Sequence, residues 1–563
     1  MPPHQHAWPA DRWNTRPVAA HVLAVARTLT SATRVLDVLT LLRRDGIERY
    51  FTINPGSAFA DGLDDYLRDL PGITVLDWED AVRRRFDLAV ACAVHASMHR
   101  LDARLVVLPH GAGYNRLVTE STGDTVSSAG LSRNELTYHG RVFVDVLGLS
   151  HPEQLDRLRI SCPEALDVAQ VVGDPCFDRM LRSRRSRDGY RAALGAVDGR
   201  RLVVVNSTWS GHSLFGRHPD LPQRLVRQLP ADEYTVAVVL HPNIWNRHDP
   251  EALLDDARRM GLRLIPPHQG WQAALVAADC LIGDHGSVSV YGAALERPTL
   301  LVATGAAELD PHSPSYAFGQ TAPALDPDGD LLAQLEQALH QDPAGLRPIT
   351  DRSLAHRGES AQVLRPLLYS FLDGLDEPRD EPVLPPYPKP VPRPGATDRP
   401  TAYDVEGKSE GTEVSLRRYP FDPDDHTPRG FHALTDEHPD DALRYTAEVL
   451  ARTETHAERP ATRWLADTAA ELPGLAVAVA ALGPARHLLR LHTGLLLEAR
   501  AEPDWDRPDP TLDPLLLGSA VASWLADGGD PTCLPGHGLT IRTGDHHTRV
   551  SFSTGPQGLP GGP

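Results

Sequence analysis

Short, continuous apolar runs recur along the first 300 residues, each followed by a stretch whose apolar positions repeat at helical spacing. The first run is His21–Ala26. Ser31 then caps a predicted helix in which Val35, Val38, Leu39 and Leu42 recur at i, i+3, i+4 and i+7, with Arg43 and Arg44 in its last turn and Gly46 just beyond. Tyr50–Ile53, Ile73–Leu76, Leu88–Ala91 and Leu105–Leu108 repeat the strand signal. Strands that are apolar throughout rather than alternating, separated by helices, predict a parallel sheet covered on both faces. The theme restarts with Leu202–Val205, Val236–Leu240, Leu262–Ile265, Cys280–Ile282 and Thr299–Val302, with a helix-length segment at Ser287–Glu296. The prediction is an α/β chain with two doubly wound, Rossmann-like domains facing across a cleft. They are assigned to residues 17–165 and 166–375, after a disordered tail at 1–16, and the second ends with a helix around Ser360–Leu372.

The pattern breaks at Glu377–Pro400. Pro385-Pro386-Tyr387-Pro388-Lys389-Pro390-Val391-Pro392-Arg393-Pro394 can be neither helix nor central strand, so residues 376–402 read as a stiff polyproline linker or, alternatively, a ligand for a proline-recognising domain. Residues 403–563 form a small α+β accessory domain without repeat or motif. Helices are expected near Ala442–Ala451 and Trp464–Leu472, and a hairpin over Leu539–Phe552 turning at Gly544-Asp545. This module is the candidate docking site for a protein partner.

Charge narrows the function. Asp and Glu number 75 against 56 Lys and Arg, a formal net charge of −19, which argues against a nucleic-acid binder or a protein docking on anionic membranes. The densest basic runs, Arg182–Arg187 and Arg83–Arg85, are short enough to be solvated helix faces. Met1–Pro17 has no apolar core of a signal peptide, and the richest apolar stretch, Leu475–Leu482, is far short of a membrane span. Five widely spaced cysteines (92, 162, 176, 280 and 533) without a CxxC argue against structural zinc and a disulfide framework. The expectation is a reduced, cytoplasmic protein with no transmembrane segment and no metal.

In open α/β sheets ligands bind beyond the carboxyl ends of the strands. That rule selects three of the 26 histidines. Leu105–Pro109 runs into His110-Gly111-Ala112-Gly113, Val236–Leu240 into His241-Pro242, and Cys280–Ile282 into Gly283-Asp284-His285-Gly286-Ser287. Gly286 and Ser287 open a predicted helix, whose free amides and dipole attract an anion, with Ser287 or Ser289 adding a hydroxyl. The competing reading of Ser287 is a plain helix cap. No GxxxxGK[ST] occurs, so a mononucleotide P-loop is excluded; the two lysines, 389 and 408, lie in or past the linker.

Five landmarks then occur in a telling order over residues 105–300. They are His110-Gly111; Val172-Gly173-Asp174-Pro175-Cys176-Phe177-Asp178; Asn206-Ser207-Thr208-Trp209; His241-Pro242; and Asp284-His285-Gly286-Ser287 with Arg297-Pro298. The set resembles the CDP-glycerol glycerophosphotransferase family, teichoic-acid-polymerase-like enzymes of the GT-B glycosyltransferase superfamily. The last landmark is also similar to the nucleotide-sugar signature of UDP-N-acetylglucosamine 2-epimerase-like proteins. The resemblance implies a nucleotide-activated donor bound by the second domain, an acceptor hydroxyl held by the first, and no cofactor beyond that nucleotide-diphosphate donor, whose base is left open. It makes His110 the general base and sets His241 against the donor pyrophosphate. It also puts Thr208, Trp209, Asp284, His285, Gly286, Ser287 and Ser289 at the nucleotide and its phosphates.

Departures accompany the likeness. Ser210 and Cys176 stand where the family carries Arg, and Tyr291 where it carries an acid. Two lost guanidiniums weaken a pyrophosphate site, each charge-assisted hydrogen bond being worth roughly 1.5–3 kcal/mol. Arg217, His212 or His285 are the candidates to compensate. Three readings follow: a GT-B transferase moving a glycosyl or polyol-phosphate group, a non-catalytic GT-B-derived scaffold binding a nucleotide or partner, and a UDP-sugar epimerase or hydrolase.

Overall fold

The computed structural model describes residues 18–42, 46–57, 60–394, 399–425, 427–503 and 508–555. The expected N-terminal tail, Arg43 and Arg44 lie outside them. The strands of the first large sheet are β1 (Ala20–Ala26), β2 (Ile47–Ile53), β3 (Thr74–Leu76), β4 (Arg85–Ala91), β5 (Asp102–Val107), β6 (Val146–Leu149) and β7 (Ala169–Val171). They form one parallel sheet in the order β3-β2-β1-β4-β5-β6-β7. Neighbouring positions of β1 feed different cores: Val22 and Ala24 pack with helix α1 (Leu29–Leu39), whereas Leu23 and Val25 pack with Phe86, Leu105 and Leu149 on the other face. This two-sided burial is why the strands read as unbroken apolar runs. Helix α1 is capped by Thr28, whose hydroxyl accepts from the Ser31 amide while the Ser31 hydroxyl accepts from the Thr28 amide. Ser31, expected as the cap, is the third helical residue of this capping box.

The second sheet contains β8 (Arg201–Ser207), β9 (Tyr234–Leu240), β10 (Arg263–Ile265), β11 (Cys280–Asp284) and β12 (Thr299–Ala303), parallel in the order β10-β9-β8-β11-β12. Leu202 and Val204 face one core and Val203 and Val205 the other, so it too is covered on both sides. The boundary between the domains differs from the expected residue 165, because β7 still belongs to the first sheet. Helix α2 (Pro175–Ser183) then starts the second domain, its Cys176, Phe177 and Met180 packing with Leu202 and Ala274. Helix α4 (Ser360–Tyr369), expected to close the second domain, crosses back: Ala361, Leu364 and Leu368 join the core of Val22 and Ala24. Among the helices between these two, α3 (Ser287–Ala294) follows β11.

The proline-rich segment is extended, as its composition dictates, but it is packed rather than free. Arg179 of α2 donates to the Pro385 carbonyl at 2.8 Å. The Tyr387 amide donates to Ser183 Oγ at 2.9 Å, and its phenol donates to Asp37 Oδ2 of the first domain at 2.9 Å. Further on, the Arg393 amide donates to the Leu264 carbonyl at 2.8 Å. The segment is a strap laid across both domains.

Beyond it, nine strands close a barrel: β13 (Ala402–Glu410), β14 (Glu413–Pro420), β15 (Phe431–Thr435), β16 (Val449–Arg452), β17 (Val477–Gly483), β18 (Arg486–Leu491), β19 (Leu496–Ala501), β20 (Leu539–Thr543) and β21 (His546–Thr554). The hairpin turning at Gly544-Asp545 is present. Glu458–Glu471 is helix α5, as expected around Trp464. Ala442–Ala451 is not one helix: a single turn, Asp441–Arg444, gives way to β16. Helix α6 (Pro514–Ala526), buried nearly all round, packs Leu517, Ala520 and Val521 with Val405, Val449, Val479 and Leu489 of the wall. Gly518 makes this possible, since a Cβ there would lie 2.6 Å from Val449 Cγ1 and 2.9 Å from Val479 Cγ2. Gly518→Val is expected to cost about 1–3 kcal/mol through overpacking and to lower the urea midpoint of the barrel's unfolding transition.

Candidate functional site in the interdomain cleft

The carboxyl edges of the two sheets meet face to face. His110 and Gly111 follow β5, and a Cβ on Gly111 would lie 2.5 Å from Ser287 Oγ at the start of α3. A side chain there would force the Ser287 hydroxyl to turn aside, so glycine permits the close approach of the two loops. Six residues past His110, Arg116 reaches into the second domain. Its guanidinium pairs with Glu308 at 2.6 Å, donates to the Trp209 carbonyl at 3.1 Å and to Thr208 Oγ1 at 3.5 Å, and stacks 4.2 Å from the Trp209 ring. Backbone bonds continue the contact: the Leu117 amide donates to the Glu308 carbonyl at 2.9 Å, and the Asp310 amide to the Asn115 carbonyl at 2.9 Å. The cleft therefore has a cation at its centre that the sequence reading did not single out. Its placement in the loop opened by His110-Gly111 was the available signal.

Both predicted histidines face this cation. His110 is open to the cleft, while surrounding protein and the Arg34 and Arg116 cations push its pKa down to about 4, against an opposing hydrogen bond to the Cys92 backbone. His241, half-buried, caps the helix Pro242–Arg247, its Nδ1 accepting from the Asn243 amide at 3.1 Å. That bond fixes the proton on Nε2, which makes the ring a neutral donor. Burial, then Arg116 and His110, push its pKa down to about 3. Its ring lies 6.4 Å from that of Trp209.

The structure separates the expected phosphate-site residues into two groups. Ser287 is half-buried at the cleft, and the first-turn amides of Ser287 and Val288 point out of the helix start. Thr208 and Trp209 line the cleft beside Arg116. Asp284, in contrast, is fully buried and accepts from Ser207 Oγ (3.1 Å), the Thr208 amide (2.9 Å), the Leu214 amide (2.9 Å) and the Gly286 amide (3.0 Å). It knots the loops after β8 and β11 together, and the Gly286 amide is thereby occupied. Ser289 is buried and donates to Asn206 Oδ1 at 2.9 Å. His285 is buried with Nε2 2.9 Å from Glu308 Oε2. Against the upward push of burial, the His285 bond, the Arg116 cation and the Ser210 hydroxyl pull the Glu308 carboxyl down to about 2. These residues position the loops and Arg116; their side chains do not line the cleft.

The departures fall in place. Cys176 and Tyr291 are buried beneath the cleft, where Tyr291 donates to Asp174 Oδ2 at 2.6 Å and Cys176 Sγ lies 3.2 Å from the Tyr387 phenol oxygen. Arg34 fills that region with one guanidinium, 4.9 Å from the Trp271 ring and donating to the His110 carbonyl at 3.2 Å. Ser210 sits at φ +112°, a strained turn. Of the residues expected to compensate, His212 and Arg217 are exposed and face each other at 3.4 Å, and His285 backs Glu308. Arg116 and Arg34 supply the positive charge instead.

Two Rossmann-like domains with their carboxyl edges facing, joined by a returning helix, define the GT-B architecture. No protein-family model matches the sequence, and a search of curated proteins finds no relative. Among solved structures the chain is similar to the wall teichoic acid polymerase TagF (14% identity, 63% of this chain and 89% of that one, TM-score 0.46). It is also similar to a putative UDP-N-acetylglucosamine 2-epimerase from Listeria monocytogenes (14%, 65% and 100%, TM-score 0.41) and to a glycosyltransferase from Rickettsia africae (12%, 64% and 100%, TM-score 0.34).

Asp284→Ala is expected to lower stability by about 3 kcal/mol or more, since four buried donors lose a charged acceptor, whereas Ser287→Ala should stay within about 0.5 kcal/mol by urea denaturation. The histidines set a pH dependence. With folded pKa values below the unfolded 6.5, His110 and His241 bind more protons unfolded, so stability is full above 6.5 and declines as pH falls from 6.5 towards about 4. The urea midpoint should drop between pH 7 and pH 5, less steeply in His241→Asn, which keeps a good helix cap.

Proposed function

We propose that the chain is a GT-B transferase that moves a glycosyl or polyol-phosphate group from a nucleotide-activated donor to an acceptor hydroxyl. The observation that carries this reading is the meeting of His110 and Arg116 from one sheet edge with His241 and the start of α3 at the other. The donor's phosphates lie against the Ser287 and Val288 amides, with Thr208 and Trp209 beside the nucleotide. His110, neutral at pH 7, takes the proton of the acceptor hydroxyl through its cleft-facing nitrogen. The acceptor oxygen forms the new bond as the bond to the donor's phosphate oxygen breaks. The electron pair leaves with the nucleotide, whose developing charge meets the His241 Nε2–H and the Arg116 guanidinium. Binding a pyrophosphate beside Arg116 offsets the cation that depresses both imidazoles, which raises the basicity of His110 when the donor is in place.

Burial of Cys176 and Tyr291 favours this reading over a scaffold that has lost its chemistry, because neither departure strips charge from the cleft. The test is turnover with CDP-, UDP-, GDP- and dTDP-linked donors, preceded by thermal-shift screening to find the base. His110→Ala and His241→Ala should each abolish transfer while the fold is retained, the lost helix cap lowering the melting temperature of His241→Ala only modestly. Arg116→Ala should lower kcat by about 10²–10³. Full activity of His110→Ala would overturn its role, and the absence of a thermal response to any nucleotide would overturn the transferase reading.

A further inference from the structure

A second polar cavity lies away from the cleft, between the second α/β domain and the barrel. Its volume is about 150 Å³, and four arginines (200, 263, 399 and 418) and three aspartates (198, 232 and 513) line it. A water needs only about 10–15 Å³ of such volume, so a small oxyanion with its waters fits. The charges divide unevenly. Arg418, buried on β14, takes two of the carboxylates for itself: Nε and Nη2 bond Asp232 at 2.8 and 2.7 Å, and Nη1 lies 2.8 Å from Asp513. This triad docks the barrel, as does the Ala231 amide donating to the Arg418 carbonyl at 2.8 Å. The third carboxylate, Asp198, is exposed at the rim.

Arg200 and Arg399 are left facing each other across the domain boundary. Arg200, half-buried before β8, donates from Nε to the Val197 carbonyl at 3.3 Å and has no carboxylate within 4 Å among the described residues. Arg399, just before the barrel, is 4.0 Å from an Asp513 already paired with Arg418. Burial and the Arg399 cation hold the Arg200 guanidinium below its ordinary pKa. Two guanidiniums from separate domains line one cavity, Arg200 with no carboxylate within 4 Å among the described residues and Arg399 sharing Asp513 with Arg418, and such a pair is what a multivalent oxyanion neutralises, since their planar forks match its oxygens.

We propose that this cavity is a binding site for a phosphate-class anion, inorganic phosphate or a phosphate monoester, bridged between Arg200 and Arg399. Such a ligand links the nucleotide-binding domain to the barrel, and its release loosens their docking. The site is independent of the cleft chemistry.

The test uses the full chain and isothermal titration with inorganic phosphate and, separately, CMP, together with melting temperatures in phosphate and in chloride at matched ionic strength. Phosphate should bind and raise the melting temperature of the wild type and of His241→Ala alike. Arg399→Gln, at an exposed position that folding tolerates, and Arg200→Gln should each weaken binding about 10-fold or more. Inorganic phosphate binding without CMP marks the free ion as the ligand, whereas binding of both, each weakened in Arg399→Gln, marks the monoester group. An equal response to chloride, undiminished binding in Arg399→Gln, or loss of phosphate binding in His241→Ala would overturn the proposal. The last result would move the phosphate to the cleft and leave the transferase reading intact.

Discussion

Arg116 leaves the first domain's glycine-rich loop and ends inside the second domain, where Glu308, the Trp209 carbonyl and the Trp209 ring hold its guanidinium. Most of the cleft depends on this one insertion. Glu308 is itself fixed by His285, which ties the fixed end of the cation to the loop after β11. Thr208 and Trp209 are held in turn by Asp284 through the Thr208 amide. A chain of buried polar groups thus converts the second sheet's strand ends into a rigid socket. Into it the first domain places a charge that lies near both imidazoles. In a low-dielectric setting this is strong electrostatics, and it works only because every carboxylate involved has a partner.

Parallel β-strands buried on both faces write themselves plainly into a sequence, and the second sheet and the first five strands of the first were legible for that reason, whereas β6 and β7, four and three residues long, were not. The histidines after β5 and β9 were legible too, because a strand end beside glycine or proline is a recognisable ligand edge. What the local pattern could not reveal was direction of contact. Asp284, His285 and Ser289 sit in the same motif as Ser287, yet they point into the protein, where they satisfy backbone amides and Glu308. Arg116 was hidden for the converse reason: nothing near it in the chain predicts a partner 192 residues away. The barrel escaped because mixed parallel and antiparallel pairing has no short sequence period, and α6, apolar all round, carries no amphipathic stripe.

The strap shows how composition can mislead about role. Proline fixes the extended conformation but says nothing of what that conformation lies on. Here Tyr387, one aromatic among prolines, bonds Asp37 of the first domain and Ser183 of the second through opposite ends of the same residue. A segment that reads as a spacer is therefore a brace, and the barrel it leads to is seated on the second domain by Arg418 rather than swinging free.

The closeness of Gly111 to Ser287 has a consequence in time rather than in space. A phosphate group is larger than a methyl for which Ser287 Oγ would already have to turn aside, so a group of that size passes between the two loops only when they separate. A parting of the domains there breaks the Arg116 contacts and flexes the strap. Domain motions of that kind run on microsecond to millisecond timescales and set the pace of many enzymes. The glycine that permits close approach thus ties passage between the loops to that motion: the rarer the parting, the rarer the passage.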